Sequence, residues 1–428
     1  MRLAIPYIII ANKGGMVFMA IKTTERKRNG KKVTKEQPYT ERGIYTSIAI
    51  EGFRLFDSLK LEGFSRVNLL FGPNNCGKTS LLEALYIHAC GLNFTPPKIL
   101  TLLARQPQLT GALDFGEKVK GFFRDTSSLP YTFNISAKII GDPTNYTATS
   151  GFEPSPELAD LDPRTLGKAQ ILERVLEDQT IDLQLIDSFQ TISQVSVQPK
   201  LIGIWETQFG NKKEKYDLTY LPSNTKGFSP FKLGAIHDIL AHRRKKTEIT
   251  VFSHLKRYEI LHEFTEEMKN AFPEVRDIDM IPYPDATQGP VVVKTDDNRI
   301  LPLYLFGDGL RRWFYLLGNM MVYQKALHLI EEIDATLHPN AQGKLSRLLV
   351  EYAGKYDNQL FITSHSIEFA DNFFKALYGE NGFIAKDEED PVRVITLRPS
   401  EDRKEIAVWS LTGREAYESR IHYNLELR

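Results

Sequence analysis

The sequence predicts an α/β protein in which a mixed sheet is flanked by helices. Three apolar strands that end in polar residues predict this fold. Val67 to Phe71 runs into a glycine-rich segment and then an apolar helix, Ala326 to Ile330 ends in two carboxylates, and Phe361 to Thr363 is followed closely by His365. Because the carboxyl ends of parallel strands meet at one edge of a sheet, we expect these polar ends to face one crevice.

Composition excludes several classes of protein. The chain has 428 residues, with 54 basic and 54 acidic side chains and a formal net charge of zero, which argues against a uniformly basic protein that coats nucleic acid. The two cysteines, Cys76 and Cys90, predict neither a disulfide framework nor a zinc site, and therefore favour a reducing, cytoplasmic location. No segment is long and apolar enough to cross a membrane, so we expect a soluble protein with no membrane partner.

Patterning divides the chain into four segments. We expect a basic, flexible N-terminal arm at 1–44, the first half of a nucleotide-binding head at 45–135, a strand-rich inserted lobe at 136–235, and the second half of the head at 236–428. The arm is interpreted either as a solvated tail or as a segment that binds nucleic acid. The run Lys13-Gly14-Gly15 could be encoded by a ribosome-binding sequence, which suggests the hypothesis that the protein starts at Met16 or Met19.

The glycine-rich segment after the first strand is a full match to G-x-x-x-x-G-K-[ST], the phosphate-binding P-loop. Glycines let the backbone aim N–H groups at phosphate oxygens, and the following helix adds the positive end of its dipole. Lys78 would bind the β- and γ-phosphates of ATP, and the Thr79 hydroxyl would coordinate Mg²⁺. The predicted nucleotide-binding residues here are Gly72, Pro73, Asn74, Asn75, Cys76, Gly77, Lys78, Thr79 and Ser80.

The second strand ends in Glu331 and Glu332, which have the chemistry to complete a hydrolytic site. Glu331 would hold the magnesium ion, and Glu332 would orient or deprotonate the attacking water beside the γ-phosphate. His365, one strand later, can hydrogen-bond the γ-phosphate and link it to the carboxylate, since a neutral imidazole offers one donor and one acceptor. We therefore predict Lys78, Glu332 and His365 as the catalytic residues.

A fourth segment, Gly307-Asp308-Gly309, opens a predicted helix from Leu310 to Val322. The free N–H groups at the start of that helix would form a second anion site. Ordinary turn chemistry explains the same residues, so this motif alone is weakly specific.

With these four segments in this order, the chain resembles the ABC-type P-loop ATPases of the SMC-like and OLD-like branch, often called AAA family ATPases. Further residues carry the resemblance: Phe53-Arg54, Asp334 and Leu337-His338-Pro339. The resemblance implies a homodimer in which the turn Gly307 to Gly309 of one subunit closes over ATP held by Lys78 of another. It also implies that Asp334 lies at the dimer seam, that His365 is the switch histidine, and that Arg54 lies near the nucleotide.

Two departures from the family pattern bear on the rate of hydrolysis. The family's turn usually carries a serine where this chain has Gly307, and Glu331 stands where aspartate is commoner. The leading hypothesis is an ATPase whose nucleotide-driven dimerisation is coupled to a nucleic-acid or protein partner, in DNA repair or phage defence. The alternative is a slowly hydrolysing dimerisation switch that regulates an effector protein. A transporter subunit is disfavoured by the large insertion and by the poor match of the turn to the transporter signature.

Overall fold

The computed structural model describes residues 44–91, 102, 119–140, 142–153, 204–209, 212–217, 233–281, 289–335, 339–384, 389–400, 405–423 and 425–427. Residues 1–43 of the basic arm, with the hypothetical start sites, and Leu337-His338 lie outside the described residues. The predicted boundary between 135 and 136 falls inside a strand, so the division into lobes stays a prediction.

The described strands, in chain order, are β1 (Tyr45–Phe53), β2 (Phe56–Glu62), β3 (Val67–Phe71), β4 (Tyr131–Ile139), β5 (Asp142–Glu153), β6 (Ile204–Phe209), β7 (Lys212–Asp217), β8 (Leu233–His237), β9 (Val275–Met280), β10 (Val291–Thr295), β11 (Ile300–Pro302), β12 (Leu327–Ile330), β13 (Gln359–Thr363), β14 (Val392–Pro399) and β15 (Ile406–Thr412). The described helices are α1 (Lys78–Cys90), α2 (Lys245–Arg257), α3 (Leu261–Ala271), α4 (Asp308–Val322), α5 (Pro339–Lys355), α6 (Ile367–Tyr378) and α7 (Gly413–Tyr423).

The central sheet carries the three strands that the sequence singles out. Its order is β15-β14-β3-β13-β12-β8, and every pairing is parallel except that of β14 with β15. Every residue of β3, β12 and β13 is buried, as expected for parallel strands covered on both faces. The α/β fold class with a mixed sheet and flanking helices is therefore confirmed.

Two antiparallel sheets complete the strand structure. One has the order β2-β1-β4-β5-β6-β7, so the strands after α1 extend the sheet that β1 and β2 begin. The other is the three-stranded sheet β11-β10-β9, in which β10 and β11 form a hairpin. The segment Leu303–Leu305, which follows this hairpin, forms a short 3-10 helix that leads towards α4.

Helix α1 lies between the central sheet and the first antiparallel sheet, and it contacts strands of both. All but one of its residues are buried, which explains why its apolar side chains occupy every face instead of one stripe. Gly91 ends it with a φ of 52°, a left-handed conformation that glycine adopts without steric cost. The packing of α1 fixes the position of the loop that precedes it.

Helix α4 is buried from Leu310 to Met321 and packs against α2, α3 and α5. Among the residues that the structure describes, no helix is long and apolar enough to span a lipid bilayer.

Candidate functional site

The loop between β3 and α1 has a backbone that only glycine accommodates at two positions. Gly72 has a φ of 139° and Gly77 a φ of 98°. A Cβ on Gly72 would overlap the carbonyl oxygen of Leu397 and lie 2.8 Å from the Cys76 sulfur, while one on Gly77 would lie 2.7 Å from the Phe56 ring. The loop is thus packed closely from outside and has the tight turn that a phosphate-binding nest requires.

Lys78, at the start of α1, folds back over this loop. Its Nζ donates hydrogen bonds to the carbonyl oxygens of Gly72, at 2.8 Å, and Pro73, at 2.7 Å. Burial lowers the pKa of Lys78, and Cys76 and Glu332 act in the opposite direction. The neighbouring Thr79 is exposed at the helix end, with its hydroxyl group free to face solvent or a ligand. The loop, the ammonium group and the hydroxyl therefore fit a triphosphate with its magnesium ion.

Glu331 and Glu332 follow β12 at the same edge of the central sheet. The Glu331 N–H donates to the His237 carbonyl at 2.9 Å, and the Glu332 N–H donates to Thr363 Oγ1 at 2.9 Å. Glu332 has a φ of 41°, in the left-handed region that a non-glycine residue rarely occupies. Such a conformation persists where its surroundings hold it, and it occurs most often at functional sites.

His365 lies beside the second of these glutamates, with 3.5 Å between its Nε2 and Glu332 Oε1. Burial lowers the pKa of His365, the Lys78 cation lowers it further, and Glu332 and Asp334 oppose both effects. The structure thus brings Lys78, Glu332 and His365 within electrostatic reach of one another. A lowered pKa favours the neutral imidazole, the form that can donate one hydrogen bond and accept another.

Magnesium needs few protein ligands, since it keeps several waters and binds phosphate oxygens as well. Across the described ranges, no group of three or more His, Cys, Asp or Glu side chains forms a candidate metal cage. The predicted pair of Thr79 and Glu331 matches the sparse donor set of a nucleotide-bound magnesium ion. Asp334 follows within the same turn, and its Oδ1 is buried without a hydrogen-bond partner among the described residues.

The turn at Gly307 starts α4 without a side-chain cap, so the first N–H groups of the helix keep no capping partner from that residue. The Asp308 carboxylate is held by the Arg243 guanidinium, with His242 Nε2 at 3.6 Å and Arg311 Nη1 at 3.8 Å. Burial alone would raise the pKa of Asp308, but the hydrogen bond from Arg243 and the surrounding positive charges outweigh it and lower the pKa.

The chain carries a run of four basic residues, Arg243 to Lys246, and two of them have acidic partners. Arg243 binds Asp308 and Arg244 binds Asp238. These pairings reduce the positive charge that this cluster could offer to a nucleic acid.

Arg54 is paired with Glu83 on α1, and its guanidinium lies 4.9 Å from the centre of the Phe122 ring. Arg54 is therefore linked to the phosphate-binding loop indirectly, through helix α1, which follows that loop in the chain.

Arg312 is the site residue to which sequence analysis gives no role. It is 1% exposed, and its Nη2 donates to the carbonyl oxygens of Glu331 at 2.7 Å and Glu332 at 3.0 Å. Its Nη1 donates to the carbonyl oxygen of Ile239 at 3.2 Å. The available signal is its place on α4: it stands four residues after Asp308, beside Trp313, in a helix that is otherwise mostly apolar.

Comparisons with known proteins identify families and single proteins that are similar to this chain. A family model described as "AAA domain, putative AbiEii toxin, Type IV TA system" matches residues 220–371, and one described as "AAA domain" matches residues 47–99. The chain is 22% identical over 339 residues to an ATP/GTP phosphatase from Helicobacter pylori, covering 76% of this chain and 85% of that protein. It is 38% identical over 61 residues to the DNA replication and repair protein RecF from Pseudoalteromonas translucida, covering 14% of this chain but only 17% of RecF.

Solved structures of SMC heads are also similar to the chain. An SMC head bound to the C-winged helix domain of ScpA superposes with a TM-score of 0.44 at 12% identity, covering 87% of this chain and 99% of that one. The SMC head domain from Thermotoga maritima gives a TM-score of 0.41 at 13% identity, covering 86% and 98% of the two chains.

The electrostatic contact between Lys78 and His365 predicts a measurable titration. We expect the pKa of His365 to lie below 6.5 in the nucleotide-free protein and to rise in the Lys78→Met variant, because that change removes a nearby cation. A pH titration of the histidine ring resonances by NMR measures both values. Lys355→Met is the control, since Lys355 binds Glu263 on the surface and should leave the titration unchanged. A pKa that does not respond to Lys78→Met would contradict the geometry.

Proposed function

We propose that the chain is an SMC-like, ABC-type P-loop ATPase in which the binding of ATP and Mg²⁺ closes two copies into a dimer and the hydrolysis of ATP reopens it. The turn Gly307 to Gly309 of one copy would cover the triphosphate held by Lys78 of the other. The observation that carries this proposal is the cluster of Lys78, Glu332 and His365 at the ends of parallel strands. The similarity to an ATP/GTP phosphatase supports the same chemistry.

Each residue of the cluster has a distinct part in hydrolysis. Glu332 takes a proton from the attacking water while the water oxygen bonds to the γ-phosphorus. The bond between the γ-phosphorus and the bridging oxygen breaks, and that oxygen leaves with ADP. Lys78 exchanges its two carbonyl partners for phosphate oxygens. Neutral His365 donates a hydrogen bond to the γ-phosphate and does not take up the proton of the attacking water. Thr79 and Glu331 would hold the magnesium ion, which supplies positive charge to the phosphate oxygens when bound.

For the partner, we propose a nucleic acid in a repair or defence pathway. The similarity to RecF supports this class, although it covers only a short segment. The second candidate is an ATP-controlled switch that regulates an effector protein. The family model named for a toxin–antitoxin system favours it, as does Gly307, where a hydroxyl contact to phosphate is missing.

Glu332→Gln should trap the ATP-bound dimer, because it removes the base but keeps the size of the side chain. Turnover should fall by about 100-fold or more, the range in which a general base contributes. Size-exclusion chromatography with light scattering should then detect dimers with ATP and monomers with ADP. Glu331→Gln is a control that should impair magnesium-dependent binding instead. Monomers under all conditions would contradict the proposed dimer.

The choice of partner is tested by steady-state turnover with and without double-stranded DNA, single-stranded DNA and RNA. A nucleic-acid partner predicts at least about a threefold change in kcat or KM with one of the three, an effect of under 1 kcal/mol that salt should weaken. Turnover that stays slow and unchanged with all three would overturn the first candidate in favour of the effector switch.

Gly307→Ser should tighten the ATP-bound dimer, because it supplies the missing hydroxyl at the turn. The site accepts it: Gly307 has a φ of −61° and a ψ of 153°, and an added Cβ would meet no atom within 4 Å. A hydrogen bond to a charged phosphate predicts dimerisation on the order of tenfold tighter in the Glu332→Gln background. Gly307→Ala adds the same Cβ without the hydroxyl and should give no gain. Equal effects of serine and alanine would show that the hydroxyl does not reach phosphate.

A further inference from the structure

The Arg312 guanidinium connects helix α4, which begins at the Gly307 turn, to the backbone of Glu331 and Glu332. Three carbonyl oxygens accept its hydrogen bonds, those of Ile239, Glu331 and Glu332. The side chain is almost fully buried, and a buried charge is costly unless it is fully hydrogen-bonded. An apolar side chain of similar volume could be buried here at a lower cost in free energy, so packing alone does not explain why a charged residue stands at this position.

The same residue supports an unusual backbone. Glu332 is in a left-handed conformation that its neighbours must hold, and two side chains do so: Thr363 Oγ1 accepts from the Glu332 N–H, and Arg312 donates to the Glu332 carbonyl. Thr363 belongs to β13 of the sheet, whereas Arg312 belongs to α4. A displacement of α4 relative to the sheet would therefore move the backbone of Glu332, and with it the Glu332 carboxylate.

The turn is cross-linked to the same network. Asp308 is bound by Arg243, which belongs to the short helix Ala241–Arg243. That helix closely follows Ile239, whose carbonyl oxygen Arg312 binds. Arg312 thus binds the Glu331–Glu332 backbone and the segment that leads into this short helix. The short helix in turn binds Asp308, which lies about one helical turn before Arg312 on α4.

We propose that Arg312 is a positioning residue that couples the two nucleotide sites of the dimer. The turn at Gly307 of one subunit binds the γ-phosphate of the ATP that its partner holds, and this contact shifts α4 of the first subunit. Arg312 transmits the shift to Glu332 in the first subunit's own nucleotide site. The inference rests on the proposed dimer, and it adds that each site becomes fully active only when the turn of its own subunit has bound the ATP in the other site.

The test is a double-mutant cycle between Arg312→Lys and Gly307→Ser. A lysine keeps the positive charge but cannot hydrogen-bond three carbonyls in the fixed fork of a guanidinium. We expect Arg312→Lys to lower kcat by about 30-fold or more with little change in the KM for ATP, since the three carbonyl oxygens that Arg312 binds lie outside the phosphate loop. Its melting temperature and its affinity for a fluorescent ATP analogue confirm that it folds and binds nucleotide.

The decisive readout is how Gly307→Ser acts in each background. In otherwise wild-type protein it should tighten the dimer and raise kcat together. With Arg312→Lys present it should still tighten the dimer, measured in the Glu332→Gln background, but should leave kcat unchanged within about twofold. Arg347→Lys is the matched control: the Arg347 guanidinium on α5 also binds backbone carbonyl oxygens, those of Ala376 and Asn381, so the response of kcat to Gly307→Ser should persist.

Two outcomes would overturn the coupling. One is an equal gain in kcat from Gly307→Ser with and without Arg312→Lys, which would make Arg312 a structural residue only. The other is a tighter dimer with no gain in kcat in otherwise wild-type protein. Failure of the proposed function would be recognised by a different result, because the Glu332→Gln variant alone would then form no dimer with ATP.

Discussion

The parallel pairing of β3, β13 and β12 is the constraint on which the site depends. Its register sets Leu70 opposite Thr363 and Ile362 opposite Ile330, so all three strands end at one level. The phosphate-binding loop, Glu332 and His365 leave the sheet at that level and have little freedom to separate. A slip of one residue in any pairing would turn every side chain of a strand to the opposite face of the sheet, and because these strands are buried on both faces each side chain would have to repack.

The site also depends on backbone conformations that are unfavourable by themselves. Gly72 and Gly77 occupy positions where a Cβ would collide with packed neighbours, and Glu332 has a positive φ without being glycine. Such a conformation costs about 1–3 kcal/mol, and the hydrogen bonds that Glu332 donates to Thr363 Oγ1 and accepts from Arg312 offset it here. In the proposed mechanism this arrangement holds the carboxylate in place before nucleotide binds, which would lower the reorganisation needed during hydrolysis.

Local patterns in the sequence were enough to predict the parts of the site that are contiguous in the chain. The loop Gly72 to Thr79, helix α1 with its terminal Gly91, and the strand that ends at Glu331 each follow from a short run of residues. The role of Arg312 could not be predicted in this way, because its partners are backbone carbonyls that carry no side-chain signature. The pairing of Arg243 with Asp308 was equally hidden, since long-range contacts between charged residues depend on tertiary structure and not on spacing.

The central claim is that the lysine and the two glutamates surround one triphosphate, and isothermal titration calorimetry tests it most directly. ATP with magnesium, titrated into the purified protein, should bind at one site per chain, and Lys78→Ala should abolish that binding while the protein stays folded by circular dichroism. Binding that survives Lys78→Ala unchanged, or no heat of binding to the unaltered protein, would contradict the account.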